Sequence, residues 1–186
     1  MMRAILDRFY ALTLYLAAAC LVLIGVLVGA QVIGRIADTL LKLFGYPPYG
    51  FLVASLAEIG GYLLAAGSFL ALAATLKRGA HIRVTVVLGI ASARVRRWLE
   101  LWVLAAGTTF VAYVSYSLIA LVYDSYRFKE ISYGLIPVPL AIPQAAMAAG
   151  AIALLIALVD ELAATWRTGR PSFRTGEDSA LGTREG

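Results

Sequence analysis

The stretch from Leu76 to Trp98, LKRGAHIRVTVVLGIASARVRRW, carries six cations, Lys77, Arg78, Arg83, Arg94, Arg96 and Arg97, and no acid. Long apolar runs flank it on both sides. Outward from this basic loop the chain divides into four stretches nearly empty of charge, at about residues 11–34, 51–76, 101–123 and 137–159, with Glu58 the one clear exception. Each is long enough to span a bilayer, since about 20 residues at about 1.5 Å per residue cover a hydrocarbon core of about 30 Å. The expected fold is an all-α integral membrane protein with four transmembrane helices in one domain, residues 1–166, followed by a tail, 167–186.

Orientation follows from Lys and Arg, because cytoplasmic loops hold their excess and acids contribute little. With both termini cytoplasmic, that side holds Arg3, Arg8, the six cations of the loop, Arg167, Arg170, Arg174 and Arg184. The other side keeps Arg35, Lys42, Arg127 and Lys129. The bias places both termini inside. A chain of 186 residues that is 61% hydrophobic and only 15% charged leaves no room for a separate aqueous domain. The net charge of +5 sits at span ends, where lipid headgroups account for it, so phospholipid and not nucleic acid is the expected partner. Cys20 is the only cysteine and lies mid-span, which excludes a disulfide within the chain. Arg3 and Arg8 before an apolar run resemble a secretory signal, but the run continues to Ala30, beyond the usual signal length, so the first helix is expected to be retained.

Gly25 and Gly29, Ala30 and Gly34, Gly61 and Ala65, and Gly67 and Ala71 are each four apart, and Ala145, Ala149 and Ala153 continue the pattern in the fourth span. Small residues at this spacing let backbones approach, so these faces predict a helical partner. An alanine-rich membrane sequence produces some such spacings by composition alone. Gly45, Pro47 and Pro48 end the first helix in an external turn. Ile82 to Ile90 is too apolar for a solvated linker and too short to span, and predicts a segment lying in the cytoplasmic interface. Arg83, Arg94, Arg96 and Arg97 beside it, Trp98 and Trp102 at the start of the third helix, and Trp166 after the fourth are the expected interfacial anchors. Pro143 either starts the fourth helix or kinks it. The tail from Gly169 has no apolar pattern and is expected to be disordered.

Glu58 is the one ionisable residue clearly inside a span, and an intramembrane acid is a functional candidate by default. It could carry a cation or proton, or pair with Arg35 at the external end of the first helix. Pairing or partner contact is favoured, because a translocating site needs several converging ligands. His81 is the only histidine, which leaves no axial pair for haem and no companions for a metal site. No GxxxxGK[ST] loop and no nucleophile with a base is present, so no catalytic residue, metal ligand or cofactor site is assigned and enzymatic activity is not expected.

Glu58-Ile59-Gly60-Gly61-Tyr62-Leu63-Leu64, then Gly67 to Ala71, then Lys77-Arg78-Gly79-Ala80-His81-Ile82-Arg83-Val84, resembles the second helix and following loop of the small, Q-type membrane subunit of tripartite ATP-independent periplasmic (TRAP) transporters. Leu140-Ala141-Ile142-Pro143 and the small-residue helix after it resemble that family's last span. The resemblance implies a scaffold in the bacterial inner membrane, beside a large membrane subunit that moves an organic anion with sodium or protons. A periplasmic substrate-binding protein would deliver the substrate. Glu58, Arg35, His81, Gly25, Gly29, Gly61 and Pro143 are then structural or subunit-interface residues. The other reading is an autonomous, homo-oligomeric transporter coupled to ions through Glu58.

Overall fold

A backbone in hydrocarbon must satisfy its own N–H and C=O groups, which leaves the helix as the solution for open apolar runs of this length. The computed structural model describes residues 2–77 and 93–168. They form four helices, α1 (Met2–Leu43), α2 (Leu56–Lys77), α3 (Ala93–Arg127) and α4 (Ala141–Thr168), each long and apolar enough to cross a membrane. The expected interfacial segment with His81 and Arg83, and the tail beyond residue 168, lie outside the described residues, as do the side chains of Arg94 and Arg96.

The helices outrun the apolar stretches. The 42 residues of α1 extend about 63 Å and the 35 of α3 about 52 Å, against a core of about 30 Å. Both end in the same way. The Tyr46 N–H donates to the Leu41 carbonyl and that of Gly45 to Lys42, while Glu130 donates to Ser125 and Lys129 to Tyr126. These paired bonds need a left-handed residue just past the helix, supplied by Gly45 (φ 79°) and, unusually for a side chain, by Lys129 (φ 52°). Asp38 then accepts the N–H of Tyr49 at 2.7 Å, so the connection folds back along α1 and Phe51 lands against Gly34. As a result α2 starts only at Leu56, later than the expected boundary at 51. Pro143 lies in the first turn of α4, where its missing N–H costs nothing; it marks the helix start.

The helices stand in a row, α1–α2–α4–α3, with α2 and α4 in the middle. On α1, Leu6, Tyr10, Thr13, Ala17, Cys20, Ile24, Leu27, Gln31 and Gly34, all partly or wholly withdrawn from the surface, form a seam alternating in threes and fours. That seam faces α2, and its Tyr10 end also reaches α4. The α3 seam, Glu100, Leu104, Val111, Ser115, Leu118, Val122 and Ser125, faces α4. The tightest crossing is between α2 and α4: a Cβ on Gly150 would lie 2.6 Å from the Phe69 carbonyl oxygen and 2.7 Å from the Leu70 nitrogen. Gly67 has a similar, looser role, 3.2 Å from Cys20 Cβ by the same construction. Gly25, Gly29 and Gly61 have nothing within 4 Å of such an atom; they face away from the row.

Because backbone cannot yield as a side-chain tip can, Gly150→Ala should destabilise the purified chain by about 1–3 kcal/mol. Gly25→Ala should leave its melting temperature in detergent unchanged or slightly higher, since alanine favours the helix. Equal effects at the two positions would contradict the packing described.

Candidate functional site

Polar side chains gather at the two ends of the row. At one end the antiparallel α2 and α4 bring Lys77 opposite consecutive acids. Its ammonium donates to Glu161 Oε2 at 3.1 Å and to Asp160. The Tyr10 ring of α1 lies beneath it, 5.9 Å from Nζ to the centroid. Three helices therefore meet at one cation. Glu161 is fully buried at 0% exposure, while the Lys77 and Asp160 side chains keep 20% and 40%. A carboxylate with no water around it is tolerable only beside a partner, so Lys77 is what permits Glu161 to be there. The fourth helix is tied in by Arg97, whose guanidinium donates to the Trp166 carbonyl at 3.2 Å, joining the start of α3 to the end of α4. The Trp98, Trp102 and Trp166 rings are exposed around this end.

Sequence reasoning overlooked Asp160 and Glu161. It closed the fourth apolar stretch one residue before them and counted Lys77 as one more cation of the basic loop. The available signal was an acid pair at the end of one span and a lysine at the end of its antiparallel neighbour.

At the other end sits Glu58, in the first turn of α2 rather than well inside the span, because the helix begins late. Its Oε1 accepts the Tyr62 hydroxyl at 2.8 Å. The loop joining α3 to α4 closes over it. Ser132 anchors that loop, donating its N–H to the Val138 carbonyl at 2.9 Å and accepting the Val138 N–H on Oγ at 3.1 Å. Ile136 donates to Ser55 Oγ at 3.1 Å. Gly134 sits directly on the Glu58 carboxylate, where any Cβ would collide with Oε2 and would come 2.8 Å from Ser55 Oγ. Ser55 holds a left-handed backbone (φ 55°) just before α2 while its carbonyl accepts the Glu58 and Ile59 N–H groups. A serine in this conformation costs roughly 1–3 kcal/mol, offset here by the bonds it makes.

The expected Glu58–Arg35 pair does not form. On α1 the residues turned toward α2 near this depth are Gln31, Gly34 and Asp38, and Arg35 lies a quarter-turn away, exposed with Ile36 and Thr39. Among the described residues no group of three or more His, Cys, Asp or Glu side chains could hold a metal ion. Between the two polar ends the contacts of α2 and α4 are made by alanine, glycine and leucine: Ala66, Gly67, Leu70, Ala73, Ala148, Gly150, Ala151 and Ala153 are all buried. These small side chains bring the two helices into close backbone contact.

A family model described as Tripartite ATP-independent periplasmic transporters, DctQ component, matches residues 51–168. The match takes in α2, α3 and α4, with the Glu58 cluster and all of the Lys77 cluster except Tyr10. No curated protein matches the chain.

Removing one partner of a buried charge pair strands the other. Lys77→Met is expected to destabilise the chain by about 3–5 kcal/mol, read as thermal unfolding in detergent. Adding Glu161→Gln should restore part of the loss, because the stranded charge is then gone. A Lys77→Met chain as stable as the parent would mean that the cluster holds nothing together.

Proposed function

Because this chain belongs to the DctQ family, the small membrane component of TRAP transporters, we propose that it is the scaffold of such a transporter. In this reading it packs against the large membrane subunit and stabilises it during ion-coupled, binding-protein-dependent uptake of an organic anion such as a carboxylate. The coupling, by sodium or protons, and the substrate belong to the other subunits. The chain sits in the bacterial inner membrane with both termini in the cytoplasm, as its Lys and Arg distribution favours. The Lys77 end then faces the cytoplasm, with its tryptophans in the headgroup layer among phospholipids, and the Glu58 end faces the periplasm and the substrate-binding protein.

The observation that carries this reading is the open row of helices. Both outer helices offer a single seam to the rest of the chain and leave most of their surface uncovered. A self-contained transporter encloses its site between helices, with ligands converging near the midplane. Here Glu58 lies at one end, hydrogen-bonded to Tyr62 and capped by Gly134, which disfavours the autonomous transporter built on it.

Affinity purification of the tagged chain from its host in mild detergent should bring down a large polytopic membrane subunit in equal stoichiometry, identified by mass spectrometry. Glu58→Gln should preserve that assembly and the ion dependence of uptake. A homo-oligomer without such a partner, or ion coupling abolished by Glu58→Gln in an intact assembly, would overturn the scaffold reading.

A further inference from the structure

We propose that the outward face of α3 centred on Tyr113 and Tyr116 is the surface that contacts the large membrane subunit. The proposal rests on the scaffold reading and adds to it the residues that form the contact.

Trp98 and Asp124 mark the two ends of the membrane-embedded part of α3. Tyr113 lies about 22 Å from the first and about 16 Å from the second along the helix, close to the middle of the bilayer, and Tyr116 about 12 Å from the second. Both rings point away from the row, at 69% and 73% exposure, and neither hydroxyl has a hydrogen-bond partner among the described residues. Side chains on a helix lean toward its N-terminus. That lean carries both phenols toward the middle of the bilayer and away from the nearer boundary. In lipid these hydroxyls would stay unsatisfied, and hydrocarbon penalises that strongly. A neighbouring protein helix can supply the missing acceptors.

The rest of the face fits such a neighbour. Thr109, Ser117 and Ala120 are exposed beside the tyrosines, small residues that allow close approach. Toward α4 the same side opens into a groove of about 430 Å³, between Tyr123 and Tyr126 on α3 and Ala145 and Ala149 on α4. Helix α3 is also the least apolar of the four spans. The outward face of α1 is different: at mid-depth it presents Val22, Leu23 and Val26, aliphatic side chains suited to lipid. Tyr15 on α1 is exposed too, but it leans toward the nearby N-terminal end of the helix, within reach of the headgroups. The occupant is therefore a transmembrane helix of the large subunit with small residues and a hydrogen-bond acceptor at the depth of Tyr113.

Site-specific photocrosslinking in cells producing the whole transporter tests this. The photoreactive p-benzoylphenylalanine replaces Tyr113, Tyr116 or, as the control, Val26, and the complex is purified through a tag on this chain. Adducts with the large subunit at 113 or 116, and none at 26, are the expected result. Adducts at 26 alone, or only lipid adducts at all three positions while the large subunit still co-purifies, would overturn the assignment of this face. An adduct of twice this chain's mass would overturn the occupant in favour of a second copy. Absence of the large subunit from every preparation would overturn the scaffold reading itself, and the proposal with it. As a second measure, the Tyr113→Phe, Tyr116→Phe double variant should lose co-purified large subunit while the isolated chain melts as the parent does. Undiminished recovery would contradict a role for the hydroxyls.

Discussion

Hydrocarbon offers a polar group no partner, and the architecture follows from where this chain lets its polar groups stand. Backbone groups are satisfied inside four helices. Most ionisable side chains are kept to the ends of the row, and Glu161, the one fully buried carboxylate among the described residues, is held by Lys77. That contact fixes α2 against α4 at one depth, Tyr10 adds α1 to it, and Arg97 brings in α3 through the Trp166 carbonyl. At the opposite end, Ser55 and Glu58 hold the α3–α4 loop on top of α2. Two polar ties separated by an apolar middle resist sliding of one helix past another, because a shift by one turn would part Lys77 from Glu161 at one end and Ile136 from Ser55 at the other.

A layer of helices made this way is unfinished as a membrane protein on its own terms. Within a bilayer there is no hydrophobic drive to close it into a bundle, since lipid tails are as apolar as leucine. Small residues decide instead which surfaces meet. Gly67 and Gly150 are spent inside the row. Gly25, Gly29 and Gly61 stay outside it and meet no neighbour among the described residues. The faces of α1 and α3 then differ in chemistry, aliphatic on one and hydroxyl-bearing on the other, which gives the row two unlike edges.

The four spans were legible in the sequence because charge-free length is a strong signal, and the DctQ match over residues 51–168 agrees with the resemblance read from Glu58 to Val84 and around Pro143. Less legible was anything that depends on helical phase. The spacing of four that singled out Gly25 and Gly29 is shared by Gly67 and Ala71, and only the 100° advance per residue decides which glycine faces a neighbour. The same phase error produced the expected Glu58–Arg35 pair. Its depth argument also failed, because Asp38 folds the connection back along α1 and delays α2 to Leu56. Asp160 and Glu161 were missed for a different reason: orientation is read from Lys and Arg alone, so a buried acid pair at a span end carried no weight in that count.

In the scaffold reading this chain holds a transporter together without moving substrate itself. The most direct measurement is uptake into proteoliposomes under an imposed sodium or proton gradient, with the binding protein and its substrate outside. The chain reconstituted alone should give none, the large subunit alone should give little and lose activity quickly, and the two together should give sustained uptake. Gradient-driven uptake by this chain alone would make it a transporter in its own right and rule out the scaffold.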